Sequence, residues 1–135
     1  MNAIPKRLPD TSPRRTVSHA EFLAELEAQG VPRHHCAFRC VICGNIQSAF
    51  SLSRFMTPDQ AANRCYFSCE GRYNNGAHGC DWTLGGLLRV HTLEVIADDG
   101  THIPAFEPAS PEEAQTLMRV MQGKALAHKD LEALQ

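Results

Sequence analysis

The chain has no long apolar run. None of its 135 residues sits in a stretch approaching the roughly 18 apolar positions that a membrane span needs. Residues 1–15 are polar, carry Pro5, Pro9 and Pro13, and lack the apolar centre of a secretory signal. The expectation is a cytoplasmic protein with no membrane contact. Thiols stay reduced there, so six cysteines point to metal rather than to disulfides. An excess of positive charge is also lacking, the formal net charge being −2. Residues 1–40 hold six basic and four acidic side chains, and the remainder seven and eleven. A protein that lives by phosphate contacts usually carries more positive charge. No internal repeat is visible, which excludes solenoids and propellers.

Catalytic signatures are equally thin. His19-Ala20-Glu21 has the spacing of the first half of a zinc-deaminase signature, but the cysteine pair lacks its proline. A redox C-x-x-C sits at a helix N-terminus. Here Cys43 is followed by Gly44-Asn45-Ile46 and a strand-like pattern. No enzyme is expected.

What the chain does have is Cys40-Val41-Ile42-Cys43-Gly44. Two cysteines at this spacing, followed by glycine, form a tight knuckle that aims both sulfurs at one point. The second half of a tetrahedral site lies further on. After twenty-five intervening residues comes Cys69 and, after ten more, Cys80. Cys40, Cys43, Cys69 and Cys80 are the expected ligands of one structural Zn²⁺. The competing reading is a reduced, metal-free cluster. Cys36 and Cys65 each precede a proposed ligand by four residues and read as small buried apolar groups, with ligand substitution as the alternative. His34, His35 and His78 rank below the cysteines as ligands.

The remaining pattern predicts an α+β protein: a small zinc-ribbon-like β core, an added hairpin, and flanking N- and C-terminal helices. Residues 1–16 read as a flexible arm and 17–135 as one zinc-binding domain. Ser18 and Glu21 fit a capping box that opens a helix over 18–29, with Phe22 and Leu26 on its apolar stripe. The zinc core spans 36–90. Its first hairpin carries the knuckle at its tip, with alternation continuing through Ile46, Ser48 and Phe50. Thr57, Pro58 and Gln60 start a helix of about two turns. Cys65-Tyr66-Phe67-Ser68 reads as a strand. A hairpin follows over 92–106, turning at Asp98-Asp99-Gly100. Ser110-Pro111-Glu112-Glu113 opens a C-terminal helix over 111–134.

Two resemblances attach to these residues. Tyr66-Phe67-Ser68-Cys69, a turn, then Gly79-Cys80-Asp81-Trp82-Thr83 is similar to the second half of the C-terminal zinc ribbons of bacterial type I topoisomerases. Those ribbons help grip single-stranded DNA, and the loop here is longer than theirs. C-x-x-C-G-x-x-Q-S at 40–48, F-S-C at 67–69, G-C-D-W-T-L-G-G-L at 79–87 and P-E-E-A-Q at 111–115 resemble a family of small phage and prophage proteins. That resemblance implies viral origin, zinc, and an accessory role in the bacterial host's cytoplasm. The expected function is non-enzymatic binding of a host protein or complex, inhibiting or redirecting host machinery or defence. The expected contact surface is the 70–79 loop, through Arg72, Tyr73 and His78, because Arg and Tyr are frequent interface anchors. The alternative is nucleic-acid binding, to single-stranded or duplex DNA, through Arg72, Tyr73 and Trp82.

Overall fold

The computed structural model describes residues 14–86 and 89–133. Strand β1 (Arg15–Ser18) runs directly into helix α1 (His19–Glu27). Ser18 ends the one and caps the other. Its Oγ accepts the Glu21 N–H at 3.1 Å, and the Glu21 carboxylate accepts the Ser18 N–H at 2.8 Å. Phe22 and Leu26 form the buried face of α1, as their spacing predicts. A single 3₁₀ turn, Arg33–His35, leads into β2 (Ala37–Arg39), which pairs antiparallel with β3 (Ile46–Ser48). Helices α2 (Ala49–Leu52) and α3 (Pro58–Arg64) follow. Strands β4 (Leu93–Ile96) and β5 (His102–Ala105) form the expected hairpin, with Pro104 on the edge strand, where a missing N–H is tolerated. The short β6 (Glu107–Pro108) precedes the long α4 (Pro111–Ala133).

The strands make two three-stranded sheets, ordered β1-β4-β5 and β3-β2-β6, so the fold is α+β. Only β1 and β4 run parallel. The chain steps from the first sheet to the second at Phe106. Its ring is fully buried, and its N–H donates to the Tyr66 carbonyl at 2.7 Å. Leu52, Phe38, Leu84 and Leu93 complete the same core. A smaller cluster of Ala37, Ala109 and Ala114 lets α4 lie close against β2. Ser110 and Glu113 cap α4 reciprocally, at 2.9 and 3.1 Å.

Two buried glutamines do the work of missing ladder bonds. The Gln29 amide donates to the carbonyls of Ala37 and Ala109, at 2.9 and 3.0 Å, and accepts from the Ala37 N–H at 2.8 Å. The Gln47 amide donates to the carbonyls of Cys65 and Ser68, both at 2.8 Å, and accepts from the Glu70 N–H at 2.7 Å. Each side chain therefore satisfies three backbone groups that a buried segment must pair.

Three expectations need correction. The arm expected over 1–16 ends earlier, because Arg15 and Thr16 pair with Leu93 and Glu94; residues 1–13 lie outside the described residues. No strand forms over Cys65–Ser68. The N–H groups of Phe67 and Ser68 turn back to the Arg64 carbonyl, leaving a single bridge from Ser68 to Thr83. Strand propensity lost there to a turn that continues α3. The alternation through Phe50 is likewise broken, because Ser48 and Ser51 cap each other and start α2. The apolar run from Trp82 to Val90 buries Leu84, whereas Leu87 and Leu88 lie outside the described residues.

Two predictions follow from the buried polar groups. Gln47→Leu strands three backbone groups and should cost roughly 3 kcal/mol, at about 1–3 kcal/mol for each unsatisfied group. A thermal melt should show a fall of about 10 °C; a change under about 2 °C would contradict the role given to Gln47. The second concerns Glu94, whose carboxylate lies 2.7 Å from His91 Nε2 and 2.9 Å from His102 Nδ1. Those hydrogen bonds, His91 first, hold its pKa down to about 2 from an ordinary 4.5. The stabilisation is thus complete above about pH 4.5 and disappears as the pH falls towards about 2. The stability gap between the parent and Glu94→Gln, measured by denaturant titration, should close over that window; a gap constant from pH 5 to pH 2 would oppose the assignment.

Candidate metal centre

The four predicted cysteines converge. The sulfurs of Cys40, Cys43, Cys69 and Cys80 all lie within 4.8 Å of one another. Cys40 and Cys80 are 3.6 Å apart, and Cys43 and Cys69 are 3.7 Å apart. A zinc tetrahedron with Zn–S bonds of about 2.3 Å has sulfur–sulfur edges of about 3.8 Å. The four thiols are therefore close enough to converge on one tetrahedral metal, and none is in a disulfide. Cys40 and Cys69 are buried, Cys80 is half-buried and Cys43 is exposed, so the cluster sits just beneath the surface.

The backbone prepares the sulfurs for negative charge. Turn N–H groups of Ile42 and Cys43 face Cys40, and that of Trp82 faces Cys80. The Cys80 N–H reaches Cys69 Sγ at 3.2 Å. Cys69 is the preferred thiolate of the group, held down to about 5 by the Cys40 thiol first and then by the backbone N–H groups of Cys80 and Gly71. The same contact, together with burial, pushes Cys40 up. A cation among the four sulfurs would favour their thiolate forms and release their protons.

Gly44 and Gly71 give the two knuckles their shape, for different reasons. Gly44 turns with φ +77°, and its N–H closes onto the Cys40 carbonyl at 2.9 Å. At Gly71 a Cβ would sit 2.4 Å from the Cys80 carbonyl oxygen. Only a residue without a side chain lets the two strands of the second knuckle approach so closely.

The 70–79 loop is braced from beneath by Glu70, whose side chain is 2% exposed. Its carboxylate accepts from Ser51 Oγ at 2.9 Å and from Arg54 at 2.7 Å, and contacts the His78 ring. The residues expected to face a partner are tied into the same structure. Arg72 is exposed, but its guanidinium donates to the Asp81 carbonyl at 2.9 Å. The Tyr73 hydroxyl is 2.8 Å from Ser68 Oγ, and the half-buried ring lies against Arg64. Trp82 is half-buried and packs on the main core. The sequence assigned no structural role to Glu70, Gln47 or Gly71. A glutamate immediately after a ligand cysteine, in a segment otherwise apolar or small, was the available signal.

Cys36 and Cys65 stand apart from the four. Both are buried, and their thiols are pushed up by burial, Cys65 to about 12. Cys36 and Cys65 line one apolar cavity together, although neither lies in a strand.

A family model described as VVA0879-like matches residues 18–109. The match begins at the cap of α1 and ends just before α4, so it contains all four cysteines and both sheets except β1, of which it includes only Ser18. No curated protein and no solved structure matches the chain.

The two glycines should separate experimentally. Gly44→Ala meets nothing within 4 Å, so its cost is the left-handed backbone alone, about 1 kcal/mol. Gly71→Ala must push the knuckle apart, and should cost at least about 2 kcal/mol more in denaturant titrations of the metal-loaded protein. Equal costs would contradict the close approach at Gly71.

Proposed function

The chain belongs to the VVA0879-like family, and we propose that it is a non-enzymatic binding protein held in shape by one structural zinc ion. Cys40, Cys43, Cys69 and Cys80 are its ligands. The observation that carries this reading is the closed donor set, four sulfurs mutually within 4.8 Å. When all four positions of a tetrahedral zinc belong to the protein, none remains for water or substrate, and the ion acts by joining its ligands. In this reading the protein is a phage-encoded accessory factor of the bacterial cytoplasm, and it captures a host protein or complex to inhibit or redirect host machinery or defence. Among the described residues no helix is long and apolar enough to cross a membrane.

Three features favour a protein partner over DNA. The net charge is −2. Trp82 is packed on the core rather than standing free to stack on bases. Ile42, at the tip of the first knuckle, is 49% exposed, an apolar group placed on a rigid turn. The contact surface we propose joins this tip to the braced loop bearing Arg72, Tyr73 and His78.

Metal analysis of the purified protein should return one zinc per chain. Cys69→Ser should lose it and unfold cooperatively at lower denaturant, whereas Cys36→Ala should keep it. Full zinc retention by Cys69→Ser would remove the assignment. Capture from nuclease-treated host lysate should survive nuclease and weaken in Ile42→Asp; capture abolished by nuclease would favour the DNA reading.

A further inference from the structure

Between α1, α2 and α3 lies a cavity of about 660 Å³, within the range of small-molecule sites and on the face of the core lined by Cys36 and Cys65. Protein interiors are normally packed as densely as organic crystals, with few voids larger than a water molecule. The three helices that border this cleft are each capped at the N-terminus, α1 by Ser18, α2 by Ser48 and α3 by Thr57.

The chemistry of the wall is one-sided. Leu26, Phe22, Phe38 and Phe50 supply apolar surface. The two thiols are protonated by burial and behave as small apolar groups. At the mouth stand exposed His19, Arg33 and His34. No carboxylate lines the cavity. Among the described residues Arg33 makes no ion pair, although the surface carries glutamates that pair with Arg15, Arg39 and Arg54. An apolar cleft, half open to solvent, with an unpaired guanidinium at its edge is complementary to a molecule with one apolar chain and one anionic head.

We propose that this cavity binds a single-chain anionic amphiphile, of which a medium-chain fatty acid is the simplest member. The chain lies against Leu26, Phe38 and the two thiols, and the carboxylate meets Arg33 at the mouth. This site is separate from the cysteine cluster and does not depend on the partner reading above.

Equilibrium dialysis of the full, metal-loaded chain against octanoate, decanoate and dodecanoate, below their micellar concentrations, tests it. Each added methylene buries about 0.8 kcal/mol of transfer free energy, so affinity should rise roughly fourfold per methylene and about tenfold or more per step of the series. Arg33→Gln, at an exposed position, should weaken dodecanoate at least fivefold and leave dodecanol unchanged. Ala62→Phe, on the α3 wall, should abolish binding of both while melting within a few degrees of the parent. Absence of saturable binding would overturn the proposal. So would equal affinity for octanoate and dodecanoate, or dodecylamine binding as tightly as dodecanoate. Loss of binding in Arg33→Gln for the alcohol as well would remove the headgroup assignment.

Discussion

Four sulfur atoms crowded within 4.8 Å impose the constraint on which the rest of the structure depends. Such a cluster cannot carry its full negative charge without a cation, and it cannot form until residues 40–43 meet residues 69–80. Around it the backbone offers little cohesion of its own. β2 and β3 are three residues long, and the second half of the ribbon has one isolated bridge, Ser68 to Thr83. Ladder bonds in so short a hairpin do not sustain a fold in water. The cysteine cluster, Gln47 and the buried Glu70–Arg54 pair supply what the sheet does not.

The polar part of this core has a specific job. Gln29 and Gln47 satisfy backbone groups at the two places where regular structure is interrupted, one beneath α4 and one behind the second knuckle. A hydrocarbon of the same size would fill the space and leave those groups unpaired. Glu70 is buried, a placement that a carboxylate tolerates only with a partner and further hydrogen bonds. It has Arg54, Ser51 and His78. The loop over the metal-side surface is therefore a braced platform rather than a loose tether.

What could be read from the sequence was local. Three capping boxes, at Ser18/Glu21, Thr57/Gln60 and Ser110/Glu113, are set by groups three residues apart, and all three form. The cysteine set was legible because thiolate chemistry restricts which residues can share a metal. The C-x-x-C-G-x-x-Q-S pattern pointed to Gln47 and Ser48 without giving their reason, which is long-range for the one and a helix cap for the other. Tertiary contacts decided the rest. Arg15 and Thr16 became a strand only because Leu93 and Glu94 lie beside them. The Cys65–Ser68 segment turned because its N–H groups found Arg64 sooner than a partner strand. The apolar chamber between the first three helices has no sequence signature at all.

The crossing at Phe106 has a consequence for synthesis. β1 is the first described element to leave the ribosome, yet its parallel neighbour begins at Leu93. β2 follows, and its outer edge stays open until Glu107 and Pro108 arrive. Both sheets therefore wait on the same few residues either side of Phe106, although one knuckle and then the other are already outside. A nascent chain of some ninety residues can gather its four sulfurs round an ion while two strand edges remain bare, and bare edges are templates for pairing with other chains. Early metal capture would hold that unfinished chain compact until its last strands emerge, so an ion bound there would guard the half-made protein as well as pin the finished one.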